Sequence, residues 1–363
     1  MSLIFTGDVY PGTDPSKILG AGLEALPACE FLVANLECVL APQEGGEIRD
    51  DKSAILVTTE MALEALLEAA RVPAVLTLGN NHIHDLGVEG IAATLKGLNR
   101  RGVRHAGVGL PREVSRPCVV SDGSATVALL PVSTDEPEVM SRRASTGEPG
   151  VLDYYDRDIH SIISESKRRR HFVVVLPHWG REHLDYPAVA LRRRAYSWID
   201  SGADLVVGHH PHRVQGKELY KGKWIYYSLG NFLFPNFFTK EGHRRRWQKA
   251  SNRSIVLRVR FAQGLQIEEH GFTFDPGRFI LRSSPEGVSE LHEKSRLLDV
   301  TRVSHKRYFP LWERHYITVI RRQRAPLRRI RESVFPQHRE HGTVRFFARR
   351  LVSRIGRMLN ARG

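Results

Sequence analysis

Six short apolar runs in this 363-residue chain each end in residues able to hold a cation or move a proton. Leu3 to Thr6 is followed by Gly7-Asp8, and Phe31 to Ala34 by Asn35-Leu36-Glu37. Val75 to Leu78 opens into Gly79-Asn80-Asn81-His82, with Asp85 close behind. Phe172 to Leu176 leads to Pro177-His178-Trp179-Gly180, and Leu205 to Val207 to Gly208-His209-His210-Pro211-His212. Trp224 to Tyr227 leads to Ser228-Leu229-Gly230-Asn231. Carboxylates, carboxamides and imidazoles gathered in one place would repel and desolvate one another without a cation. Such mixed donors suit manganese, iron or zinc, as one divalent ion or two. A pair of ions about 3.5 to 4 Å apart clamps a phosphoryl-type group. Pro211 keeps its segment from becoming helical, and in an extended segment His210 and His212 project to the same side.

These residues meet only if the apolar runs are strands, because ligands of open α/β sheets bind beyond the carboxyl ends of the strands. The pattern fits: β-rich runs alternate with helical periodicity, the mark of an α/β fold with a largely buried sheet. Strands are expected at Leu3 to Thr6, Phe31 to Asn35, Val75 to Leu78, Ala125 to Pro131, Phe172 to Leu176, Leu205 to Val207 and Trp224 to Tyr227. Helices are expected at Pro15 to Leu26, Thr59 to Ala70, Val88 to Arg101, Asp156 to Arg169 and Pro187 to Ser201. Ser254 to Phe261 and Leu265 to Phe274 read as a half-exposed hairpin around Gly264. Ser133 to Gly150 is long and polar, the profile of a lid or insertion. Pro, Gly and Ser cluster in Phe274 to Gly287, which predicts a main domain over 1–280 and a basic helical extension over 281–363.

The ordered series GD, NLE, GNNHxxD, HWGxE, GHHPH and YSLGNF, from Gly7 to Phe232, resembles the poly-γ-glutamate capsule synthesis (CapA-like) family. That family is a branch of the calcineurin-like metallophosphoesterase superfamily. The resemblance implies a sandwich of mixed β-sheets flanked by helices and a metal-dependent hydrolase that uses a metal-activated water. It makes Asp8 and His212 ligands of a first metal and Glu37 the bridging carboxylate. Asn81, His178 and His210 become ligands of a second. His82 is the implied general acid or oxyanion stabiliser, and Asp85 completes the candidate catalytic pair as its orienting partner. Glu182 follows His178 at a spacing that would also let it orient an imidazole. Asn35, Arg213 and Asn231 are candidate contacts to an anionic small-molecule or polymer substrate. Two departures stand out: Tyr10 occupies the His place of the superfamily's Asp-x-His motif, and Asn35-Leu36-Glu37 replaces its GDxxD. The alternative is a non-catalytic component that binds and positions the polymer during capsule assembly.

Composition narrows the classes further. Hydrophobic residues at 41% supply enough apolar surface for a core, which argues against disorder. Cys29, Cys38 and Cys118 are odd in number and widely spaced, which argues against a disulfide scaffold and fits a reducing compartment. No apolar run approaches the roughly 18 to 20 residues of a membrane-spanning helix, and nothing resembles a signal peptide, so cytoplasmic residence is expected. The net charge of +14 lies wholly in the tail, where residues 302–363 carry 17 Arg or Lys against three acids. There Val344, Phe347, Leu351, Ile355 and Met358 fall at helical spacing among arginines. That amphipathic basic pattern over 343–360 suits either an anionic membrane surface, such as the inner membrane face, or docking on the body. Nucleic acid is disfavoured, because no binding motif or interleaved stacking platform is present.

Overall fold

The structure, a computed structural model, describes residues 1–42, 46–299 and 305–334, and within the last segment the side chains of residues 307–321. Two mixed sheets form the framework. The first runs in the order Ile280–Ser283, Leu265–Asp275, Arg253–Phe261, Ser2–Val9, Phe31–Leu36, Ala74–Thr77, Arg104–Ala106, and Asn231–Leu233 also pairs with Ser2–Val9. The second runs Lys217–Tyr220, Lys223–Tyr226, Leu205–Val207, Phe172–Pro177, Thr126–Val132, Cys118–Ser121. Within each sheet the strands that deliver the polar exits are parallel neighbours: Leu3 pairs Phe31, Leu32 pairs Ala74, and Leu205 pairs both Val174 and Trp224. Parallel pairing puts their carboxyl ends on one edge, which is what gathers the site.

Strand alternation divides the side chains between three cores. Leu3, Phe5 and Val33 of one sheet meet Leu129, Val174 and Leu176 of the other in a layer between the sheets. Ile4, Leu32 and Ala34 face outward onto Leu63, Leu66, Ile91 and Leu98 of the helices Glu60–Ala70 and Gly87–Arg100. Val173 and Val175 face Ile159, Ile163, Ala195 and Trp198 of the helices Asp158–Arg168 and Val189–Asp200. The result is the helix-flanked sandwich of mixed sheets that the sequence implies. Thr59 starts its helix as an N-cap, its hydroxyl accepting from the Ala62 amide at 3.1 Å.

The expected helix from Pro15 to Leu26 is interrupted. Pro15–Leu19 is helical, then Gly22 takes φ 88° and a single 3₁₀ turn follows at Leu23–Ala25. A Cβ at Gly22 would stand 2.7 Å from the Leu281 carbonyl oxygen, so the approach of the strand Ile280–Ser283 requires glycine here. That strand also moves the expected boundary. The compact unit spans Met1–His315, and beyond residue 280 it gains an edge strand and the helix Glu286–Ser295, whose Leu291 is fully buried. The helix His305–Val334 starts in this unit, where the Tyr308 hydroxyl donates to the Pro187 carbonyl at 2.6 Å. The second unit is Tyr316–Gly363, of which residues 316–334 are helical. The amphipathic segment 343–360 lies outside the described residues. Among the described residues, no helix is long and apolar enough to cross a membrane.

Candidate metal centre

Asp8 and Asn231 are aligned in neighbouring strands, and the Asp8 amide donates to the Gly230 carbonyl at 2.9 Å. This approach depends on Gly7, where a Cβ would lie 1.9 Å from the same oxygen. Glu37 leaves the end of the next strand, and Asn81 and His82 lie in the turns after Ala74–Thr77. From the second sheet come His178, His210 and His212. The last two differ from expectation: His210 has φ 96° and His212 φ 53°, so their segment is looped, not extended. The left-handed turns still bring the rings together, with centroids 5.8 Å apart for His210 and His212 and 4.7 Å apart for His178 and His210. Strained backbone of this kind persists where the surroundings over-determine it, as at a site.

Glu37 is the centre of the cluster. It is fully buried, and its Oε1 lies 3.5 Å from His178 Nε2, 3.6 Å from His212 Nε2 and 3.9 Å from His82 Nε2. Neither carboxylate oxygen has a hydrogen-bond partner, and His210 Nδ1 is likewise buried and unpartnered. The opposite ring nitrogen of His210 is 2.9 Å from the Glu138 carbonyl, which fixes that nitrogen as donor and leaves Nδ1 a free lone pair. Asp8, Glu37 and His178 offer donor atoms within 4.8 Å of one another, as do Glu37, His210 and His212. Leaving a buried charged acceptor unsatisfied costs upward of roughly 1–3 kcal/mol, and a cation shared through Glu37 removes that cost. The donor set, oxygen with imidazole nitrogen, fits manganese, iron or zinc.

Electrostatics point the same way. Burial pushes His178 well below the usual imidazole value, helped by His210 and His209, and brings His210 to about 4. Both are thereby neutral, the ligating form. Burial also raises Glu37 far above an ordinary carboxyl, with Asp8 adding to it against the pull of His212. His212 is the exception: burial opposes its charge, but Glu37 and Asp8 lift it to about 10. The cluster draws positive charge to itself.

His82 and Asp85 form a dyad, with His82 Nδ1 2.6 Å from Asp85 Oδ2. Asp85 therefore sits behind His82, out of reach of the centre, and holds the ring with Nε2 toward Glu37. A residue that sequence reasoning missed completes this arrangement. Lys52 is buried, and its Nζ donates to Asp85 Oδ1 at 2.8 Å and to the Asn81 carbonyl at 2.9 Å. The Leu56 amide donates to Asp85 Oδ2 at 2.7 Å.

The three expected substrate contacts are engaged with protein groups. Asn35 donates to Asp8 Oδ1 at 2.9 Å and accepts from Asn80 at 3.1 Å. Asn231 Oδ1 is 2.8 Å from His212 Nδ1, and Arg213 pairs with Asp185 at 3.0 Å. Asn81 Oδ1 lies 3.0 Å from His178 Nε2. Glu182 is 3.8 Å from His183, and although burial raises its carboxyl, the field of His212, His183 and His210 holds it at about 2. Tyr10 brings no donor to the centre: its hydroxyl donates to the Val57 carbonyl at 3.2 Å, and its ring packs on Phe234 and Phe237.

The chain is 28% identical over 249 residues to "PGA biosynthesis protein CapA" of Bacillus subtilis (strain 168), covering 66% of this chain and 65% of that one. It is 32% identical over 217 residues to "Capsule biosynthesis protein CapA" of Bacillus anthracis, covering 58% and 52%. The chain thus matches less than two thirds of the length of either relative. Among solved structures, the 5'-nucleotidase precursor of Thermus thermophilus aligns with a TM-score of 0.41 at 15% identity, covering 82% of this chain and 59% of that one. The family model described as "Bacterial capsule synthesis protein PGA_cap" matches residues 2–236, the segment that carries Asp8, Glu37, Asn81 and all the clustered histidines. The chain belongs to this bacterial capsule synthesis protein family.

Proposed function

We infer that the chain is a metal-dependent hydrolase acting on a glutamate-based anionic polymer in capsule-type metabolism. The observation that carries this reading is Glu37: fully buried, unpartnered at both oxygens and ringed by His82, His178 and His212. Asp8, Glu37, His178, His210 and His212 would hold one or two divalent ions, with Asn81 as a further oxygen donor. Manganese, iron or zinc bound there supplies Lewis acidity at the scissile group and lowers the pKa of water. The protein's own part is positional. His82 holds Nδ1 against Asp85 and presents Nε2 to the centre; a second proton, carried on Nε2, would be the one it gives to the leaving atom. Asn35 and Asn231 hold Asp8 and His212 in place. Residues 343–360 would hold the chain at the cytoplasmic face of an anionic membrane, and their deletion should release it.

A second reading, a polymer-binding assembly component without turnover, is favoured by Tyr10, whose hydroxyl is engaged with Val57 where the superfamily places an imidazole. Metal analysis of the wild type, His178→Ala and His210→Ala tests the first reading. It is joined by product release from poly-γ-glutamate and from a generic phosphodiester, wild type against Asp8→Ala. Metal bound by the wild type only, with turnover abolished by Asp8→Ala, supports the hydrolase. A wild type that takes up no metal under replete conditions sinks it. Metal and polymer binding without turnover favours the assembly component.

A further inference from the structure

A short hairpin lies beside the metal centre, just past the segment matched by the family. Phe237–Phe238 pairs antiparallel with Arg244–Arg245, and Trp247 closes the base, its amide donating to Asn236 Oδ1 and its indole to the Pro235 carbonyl, both at 3.1 Å. The Trp247 ring packs 4.8 Å from His212 and 4.9 Å from Phe234 between centroids. The far end is fixed as well, because Lys240 reaches the carbonyls of Arg49 and Asp50 at 3.2 and 2.9 Å. The hairpin is therefore a platform held at both ends, with one end resting on a candidate ligand.

That platform carries Arg244, Arg245 and Arg246, all exposed. None of the three guanidinium groups makes a hydrogen bond or ion pair among the described residues. Two other basic runs among the described residues are answered in part by acids: Lys167 by Asp204, Arg168 and Arg169 by Glu165, and Arg192 by Glu218. Three adjacent unanswered guanidinium groups concentrate positive potential at this surface, and a bound polyanion would neutralise it. Their fork geometry favours planar carboxylates taken two hydrogen bonds at a time. The field of this strip reaches His183, whose ring packs against Trp247 with centroids 6.0 Å apart. Burial lowers the His183 imidazole to about 4, and Arg213 and Arg245 add to that against Glu182.

We propose that the hairpin over residues 237–247 is a docking strip for a linear polycarboxylate. Arg244, Arg245 and Arg246 grip successive carboxylates, and Trp247 sets the strip against the metal centre so that a bound chain runs toward Glu37. The choice of a carboxylate polymer rests on the proposed function. Nucleic acid fits less well, since Phe238 is the one strongly exposed ring on the hairpin and a stacking series needs several.

The test is fluorescence anisotropy with labelled poly-γ-glutamate at low and physiological salt, on the wild type, the triple variant Arg244→Ala/Arg245→Ala/Arg246→Ala and the triple Lys variant. The Ala variant should lose at least about tenfold in affinity and much of the salt dependence, with melting temperature and metal content unchanged. The Lys variant should recover part of the loss. Equal affinity in wild type and Ala variant overturns the strip, as does absence of polymer binding by the wild type. So does tighter binding of single-stranded RNA or phosphatidylglycerol vesicles through the same arginines. The two readings fail separately. Polymer binding through these arginines in a wild type that holds no metal would keep the strip and remove the hydrolase. A wild type that holds metal and cleaves a γ-glutamyl peptide, with polymer binding undiminished in the Ala variant, would do the reverse.

Discussion

Lys52 Nζ lies 2.8 Å from Asp85 Oδ1, with side-chain exposures of 6% and 0%, and the pair is the support on which His82 rests. Removing one partner of a buried pair leaves the other charge unanswered, at a cost of about 3–5 kcal/mol. Lys52→Met should therefore lower stability by that order, read from urea denaturation. Asp85→Asn removes the charge that Lys52 answers, so the double variant should lose less than the sum of the single losses, by about 0.5–3 kcal/mol. Strictly additive losses would show that the two residues act independently.

Glu37→Gln separates function from stability. The wild-type carboxylate is buried without a hydrogen bond, a state that burial and Asp8 both disfavour when it is charged. In chelator the neutral, isosteric Gln should melt close to the wild type, whose own carboxyl is driven toward its neutral form by burial. Adding manganese or zinc should set the wild type above the variant. A ligand at 100 times its Kd stabilises by about 2.7 kcal/mol, and the variant should gain little of this. Equal metal-induced shifts in both proteins would show that Glu37 is not a ligand.

Sequence order is enough to gather candidate residues that end or follow a buried strand, because parallel strands deliver their carboxyl ends to one edge; the roles proposed for those residues come from the family resemblance. Asp8, Glu37, Asn81, His178, His210 and His212 are of this kind. Lys52 is not. It sits in the connection between the short strands Val39–Leu40 and Val57–Thr58, where no hydrophobic period marks its place and only tertiary contact brings it to Asp85. The roles of Asn35 and Asn231 had the same difficulty. Their positions were visible, but whether a carboxamide faces substrate or a neighbouring ligand depends on side-chain packing. The basic runs show the limit for charge: 167–170 and 244–246 look alike in the sequence, yet Lys167, Arg168 and Arg169 of the first are matched by Asp204 and Glu165, while the second is exposed and unmatched.

Acid should loosen the junction between the body and the start of its last helix. Asp185 bonds Arg213 at 3.0 Å and Lys294 at 2.9 Å, and its amide donates to His315 Nε2 at 3.1 Å. Burial raises the Asp185 carboxyl, but Lys294 and Arg213 outweigh it and hold the value below normal. A depressed folded value means that the stabilisation is complete above the unfolded carboxyl's value, about 3.9, and is lost as pH falls through the folded one. Asp185→Asn should thus be less stable than wild type at pH 7 and should show a shallower loss on acidification. Urea midpoints at neutral and acid pH check this, and parallel curves would remove Asp185 from the account.

Asn231 gives the sharpest distinction between a residue that binds substrate and one that orients a ligand. Its Oδ1 stands 2.8 Å from His212 Nδ1, which makes that nitrogen the donor and turns Nε2 toward Glu37 at 3.6 Å. Loss of a hydrogen bond behind a metal-ligating imidazole typically weakens metal affinity by roughly 10–100-fold. Asn231→Ala should do so when titrated calorimetrically with manganese or zinc in the absence of any substrate. Asn231→Asp keeps an acceptor at the same place and should retain affinity close to wild type. A direct substrate contact predicts a different pattern, in which both variants bind metal normally and differ only in KM. Unchanged metal affinity in Asn231→Ala would assign this side chain to the substrate after all.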